Sequence, residues 1–328
     1  MKSALSQIRQ IRGEDKLHIN PINSNRYRIL AIENDGSQTA YYFSTPIYEL
    51  ESGRLVTPIF KRAQNGFVFR GSNAFVEVCG GEIKLSSPQG KAFVQTEPAQ
   101  YDCRDGCLVC SDDSIEPTLN GVVIKRRITN NEGFTIAVCV DKPFMNIRDN
   151  SKCFALMEEE FRPYMSVSAV GVFDNGGQLI CPAVVSYQKI DSTNFSVSIT
   201  PSKDVQNGIL CAECNMYEQK LFFDTTVESR NPSENNAYGG IGFIGDTQSL
   251  GEQWIYSRPD CGKLSDMINE RMQKAVLHIP AYNNGAGLSC FGVQRRFCSF
   301  GSNWNNRIAE GRAIANICEQ NGYYSIPL

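Results

Sequence analysis

Apolar and polar residues alternate along most of the chain in short runs that stop at turns rich in glycine and asparagine. Residues 26–33, 39–44, 66–70, 74–79, 82–85 and 92–95 place β-branched and aromatic side chains at period two, and Asn34-Asp35-Gly36, Asn65-Gly66 and Gly80-Gly81 punctuate them. This pattern predicts strands. It resumes at 121–129 and 134–140, where the intervening Asn130-Asn131-Glu132-Gly133 predicts a hairpin, and continues through 166–173, 183–187, 194–200, 274–280 and 287–294. Helical spacing is confined to residues 1–16, with Ile8 and Ile11, and to parts of 264–274 and 306–319. Closely spaced strands joined by tight turns, with no helices between them, predict antiparallel sheets. The expected fold is all-β, with antiparallel β-sandwich (jelly-roll-like) domains and minor helix.

Around 229–236 the sequence turns polar and loses its periodicity, which marks a boundary. The expected organisation is an N-terminal helix or tail over 1–16, a β-rich domain over 17–228 and a second β domain over 229–328.

Composition narrows the function classes. Of 328 residues, 41% are hydrophobic and 20% charged, enough for an ordinary core. Lys and Arg number 32 against 35 Asp and Glu, a net charge of −3, so nucleic acid is not an expected partner. No apolar run approaches the ~20 residues of a membrane helix, and the first ten residues lack the apolar core of a signal peptide. Neither membrane insertion nor a leader is therefore expected.

Thirteen cysteines cannot all pair within one chain. Cys79, Cys139, Cys153, Cys181, Cys290, Cys298 and Cys318 lie among apolar or β-prone neighbours and read as small hydrophobes. Cys103, Cys107 and Cys110 crowd one turn-prone stretch, and Cys211 and Cys214 form a second C-x-x-C pair. Four such thiolates could surround zinc, the candidate cofactor; a Cys103–Cys110 disulfide and plain thiols are the alternatives.

With two histidines, His18 and His278, neither set beside a nucleophile in the sequence, and a Glu158-Glu159-Glu160 run whose members alternate faces in a strand, no catalytic centre is expected. Lys125, Arg126 and Arg127 share one strand and read as solvated or paired charge. Residues 239–245 are glycine-rich but lack a following helix to hold a phosphate.

A family resemblance adds the functional expectation. Asn235-Asn236-Ala237-Tyr238-Gly239, then Gln253-Trp254-Ile255-Tyr256, then 275–280, then Ser302-Asn303-Trp304-Asn305-Asn306-Arg307 follow the order of motifs in DNRLRE-type β-sandwich domains of Gram-positive surface proteins. Residues 161–227 are similar to the β-rich region preceding that domain in wall-associated rearrangement-hotspot (YD) repeat proteins. The resemblance implies a non-enzymatic structural or adhesive module of a bacterial surface assembly, contacting glycan or protein, with a carbohydrate-active enzyme or its binding accessory as the alternative. It implies a cell-surface or secreted location, against which the missing signal sequence and many cysteines leave a cytoplasmic one open. Trp304 is expected to anchor the fold while the neighbouring Asn residues close a turn. Trp254, Trp304, Asn305 and Asn306 are the candidate ligand-binding residues. Related domains continue beyond the Trp motif, so the resemblance also implies an open sheet edge completed by an N-terminal strand of the same chain, a second copy or a longer native continuation.

Overall fold

A computed structural model describes residues 4–13, 18–20, 28–42, 49–51, 54–56, 59–71, 74–111, 113–118, 120–159, 162–216, 222–236, 244–247, 251–259, 276–281, 287–293 and 302–327. The chain is all-β with antiparallel sheets; among the described residues its one α-helix is Ala4–Arg12. It divides into two compact units, one built from 48–219 and 236–243, the other from 1–47, 220–235 and 244–328.

The 48–219 unit holds two large sheets. In spatial order the nine-stranded sheet runs Asp102–Arg104, Cys107–Val109, Asp113–Pro117, Gly121–Thr129, Asn207–Met216, Arg162–Phe173, Cys153–Glu159 and Ile147–Asn150, with Leu179–Cys181 paired to Arg162–Phe173. The eight-stranded sheet runs Ala183–Lys189, Asn194–Pro201, Phe134–Val140, Gly90–Gln95, Glu82–Ser87, Phe75–Cys79, Gly66–Arg70 and Lys61–Ala63.

Period-two alternation explains the core. Leu108, Ile115, Ile124, Ala212 and Ala169 are successive cross-strand partners on one face of the first sheet. Phe195, Val138, Val94, Ile83, Val78 and Phe67 form the equivalent row on the second. Both rows belong to a single hydrophobic cluster, and each fully buried aliphatic or aromatic side chain in it contributes about 1.5–3 kcal/mol.

Five connections switch between these sheets, at 96–101, 130–133, 141–146, 182 and 202–206. Pro182, which cannot donate a ladder hydrogen bond, separates Leu179–Cys181 in the first sheet from Ala183–Lys189 in the second. Another is Asn130-Asn131-Glu132-Gly133, and it corrects the expected hairpin: Gly121–Thr129 and Phe134–Val140 lie in different sheets. Asn130 and Asn131 take left-handed conformations (φ 52° and 65°). The Glu132 amide closes the turn onto the Thr129 carbonyl (3.2 Å), while the Asn130 and Asn131 amides donate to the Gln206 and Val205 carbonyls and pair the turn with the neighbouring 201–207 connection.

The other unit is assembled from distant segments. The hairpin Arg28–Ile32/Gln38–Tyr42 turns at Asn34-Asp35-Gly36, and Arg12 of the helix grips Glu33 beside it through two 2.7 Å bonds. Residues 17–47 thus join the helix and the C-terminal segments, not the 48–219 strands with which the sequence reading grouped them. The polar stretch 229–235 groups with this unit, and the division between the units falls at 235/236.

The remaining described strands of this unit pair locally: Phe222–Glu228 with Gly251–Pro259 and Gly245–Thr247, Val276–Pro280 with Tyr323–Pro327, and Leu288–Phe291 with Ala313–Ile317. The last pair corrects the helix expected within 306–319, because ladder bonds to Leu288–Phe291 hold Ala313–Ile317 extended. The helix expected within 264–274 lies outside the described residues. No described helix is long and apolar enough to cross a membrane.

Candidate binding site

On the strand Gly251–Pro259, alternation places Trp254 and Tyr256 on one face, opposite Val227 and Thr225 of Phe222–Glu228. The segment 302–308 lies over that face. Tyr256 ties it down, its hydroxyl donating to the Ile308 carbonyl (2.8 Å) and accepting from the Ile308 amide (3.1 Å). Val227, Tyr256 and Ile308 form a small buried core against which Trp254 and Trp304 pack.

Trp304–Asn306 is a single 3₁₀ turn, closed reciprocally by asparagines. The Asn303 side chain accepts from the Asn306 amide, and the Asn306 side chain accepts from the Asn303 amide. Such caps supply acceptors for the otherwise unmet amides at a helix start. The turn is moored to the polar stretch before it: the Asn305 amide donates to the Pro232 carbonyl (3.1 Å) and Asn305 Nδ2 to Ser233 Oγ (3.3 Å). Asn235 Nδ2 reaches the Ser302 carbonyl (2.7 Å).

The two indoles meet edge to face, with centroids 5.4 Å apart and planes at 60°, a favourable geometry for aromatic pairs. Trp254 Nε1 donates to Glu252 Oε1 (2.8 Å). The Arg307 guanidinium lies 4.3 Å from the Trp304 ring centre and 5.6 Å from that of Trp254, and its Nη1 donates to the Trp304 carbonyl (3.1 Å).

Trp254 and Trp304 are half-buried, while Glu252, Asn305, Asn306 and Arg307 are exposed. The structure therefore brings together the four residues singled out in the sequence. Chemically the cluster offers apolar indole surface, a cation and an amide side by side. Sequence reading passed over Arg307, Tyr256, Glu252 and Ser233. Only Arg307, adjacent to the Trp-Asn-Asn triplet, carried a local signal.

The cysteines are not gathered. Cys103 and Cys107 belong to a tight hairpin turning at Asp105-Gly106, both with positive φ. Cys103 pairs opposite Leu108, so it and Cys107 occupy different faces. Cys211 and Cys214 stand three apart in one strand, which points them to opposite sides: Cys214 enters the core opposite Val122, whereas Cys211 faces Lys125. Burial pushes the Cys214 thiol up to about 12 and Cys211 to about 11, disfavouring the thiolate that zinc requires. Cys110 closes the next turn through its amide. All eleven described cysteines are free. Cys261 and Cys298 lie outside the described residues. No group of three or more His, Cys, Asp or Glu among the described residues is placed to hold a metal.

Other candidate groups have local partners. Lys142 bonds Glu158 and lies 4.5 Å over the Tyr164 ring. Lys125 bonds Glu116, and Arg126 holds Asp113 with two nitrogens. Glu159 ends its strand, and Glu160 lies outside the described residues. His18 is exposed, its carbonyl accepting from the Ile32 amide. His278 Nδ1 meets Ser325 Oγ at 2.8 Å across the strand pair, and no described carboxylate bonds its other nitrogen.

Comparison with known protein families, with characterised proteins and with solved structures gives no match. The resemblance to DNRLRE-type domains therefore rests on the sequence motifs alone.

Proposed function

We propose that the protein is a non-enzymatic binding module, structural or adhesive in role, that contacts a glycan through the Trp254–Trp304 cluster. One observation carries this reading: two half-exposed indoles, an exposed guanidinium and an exposed amide converge on a turn fixed by its own asparagines and by the 232–235 segment. Aliphatic C–H faces of a sugar pack on indole surface, and its hydroxyls suit Asn305 and Arg307, both capable of fixed-geometry hydrogen bonds. Because the turn is already anchored, little ordering is needed on binding.

The test is built in, since Trp254 and Trp304 are the chain's only tryptophans. Titration of the full chain with a panel of soluble polysaccharides should shift tryptophan emission saturably for at least one. Asn305→Ala, which gives up the 3.3 Å side-chain bond to Ser233 but keeps the backbone bond to Pro232, should weaken that binding several-fold and lower the melting temperature by no more than a few degrees. A panel of neutral and charged glycans that leaves emission unchanged and is not retained on the immobilised protein would falsify the proposal.

A further inference from the structure

Among the described residues, no carboxylate pairs with the cation in this site, Arg307. Glu252, the acid in the same cluster, is engaged by Trp254 Nε1. A guanidinium has five N–H donors in a planar fork, and among the described residues the Arg307 side chain makes one hydrogen bond, from Nη1 to the Trp304 carbonyl. The remaining donors belong to an exposed side chain.

The same guanidinium lies against both indoles, closest to Trp304. The rings orient the fork without neutralising its charge, and stacking is a mode in which arginine still offers its edge to an oxyanion. Where Arg307 covers indole surface, a neutral sugar must displace it to stack. An anionic sugar needs no such displacement, because its carboxylate meets the guanidinium edge while the ring rests on indole left exposed.

We infer that the Trp254–Trp304–Arg307 site selects acidic glycans, with Arg307 taking the carboxylate of a uronic-acid-type residue as a bidentate pair. This rests on the glycan reading above and names its ligand class. The geometry of a fork against a planar carboxylate is what lysine cannot reproduce.

The experiment measures binding of the full chain to polygalacturonate, to its methyl ester, to dextran and to dextran sulfate, at low and high salt, by tryptophan emission and calorimetry. Polygalacturonate should bind at least tenfold more tightly than either uncharged polymer and no more weakly than dextran sulfate, and the advantage over the uncharged polymers should shrink as salt rises. Arg307→Ala should erase that advantage, so that acid and ester bind the variant within about twofold of each other. Arg307→Lys should recover only part of it. Equal binding of acid and ester, unaffected by Arg307→Ala, overturns the inference and leaves the glycan reading standing. Stronger binding of dextran sulfate than of polygalacturonate overturns the carboxylate assignment. Absence of binding to all of these polymers and to the wider panel overturns both. Melting curves of both variants, expected to match the parent because the side chain is exposed, separate loss of recognition from loss of fold.

Discussion

Burial holds the half-buried His278 imidazole below its ordinary value of 6.5, which links one residue to the pH dependence of folding. Below about pH 6.5 the unfolded chain takes up a proton that the folded chain resists, so stability falls as the pH drops from that point through the lower folded value. His278→Gln, which keeps a hydrogen-bonding group near Ser325, should flatten this part of the profile. Urea melts at pH 7.5 and pH 5 would show it, and an unchanged slope would assign the loss to other groups.

At this scale the sequence was readable where partners are close along the chain. Asn303 and Asn306 satisfy each other three residues apart, and the Trp-Asn-Asn triplet announced its turn. Tyr256 and Ile308, or Ser233 and Asn305, meet only through the fold, and nothing local marked them. The C-x-x-C spacing misled for a related reason. It brings two sulfurs to one centre in a turn, but within a strand it separates them onto opposite faces, as at Cys211 and Cys214.

The strand Phe134–Val140 shows alternation with little ambiguity, its residues buried and exposed in turn. Ile136 lies wholly in the core, whereas its neighbour Ala137 is exposed between Gln95 and Ser196. Ile136→Asp should cost more than about 4 kcal/mol by burying a charge with no partner. Ala137→Asp should stay within about 0.5 kcal/mol, as surface changes usually do. Chemical denaturation of the pair would measure the contrast, and similar costs would place both faces of this sheet in the interior. Strand existence was legible for the same reason that this contrast is sharp: each strand carries its own period. Sheet membership was not. Whether Asn130–Gly133 closes a hairpin or carries the chain between sheets depends on the 205–206 carbonyls, more than seventy residues away. Ala313–Ile317 reads as helix from its alanine content, yet pairing with Leu288–Phe291 overrides that preference.

For the molecule as a whole, one unit is interrupted by the other: 48–219 is inserted between 1–47 and the C-terminal segments that complete the same compact unit. Deleting residues 1–47 should lower the midpoint of the transition seen by Trp254 and Trp304, both in the interrupted unit. Exposure of the Cys214 thiol, which reports the inserted unit, should keep its midpoint. Thiol labelling across a denaturant series, run beside tryptophan emission, would resolve the two, and coincident shifts would reveal one cooperative transition. The interruption also sets an order in time. Gln10 donates to the Asn321 carbonyl across 311 residues, so at ~5–20 residues per second the ribosome makes the acceptor roughly 15–60 s after the donor. The inserted sheets can collapse during that interval. The 1–47 segment waits through that interval for its long-range partner, and its apolar residues, Ile8 and Ile29 among them, reach full burial only in the finished fold.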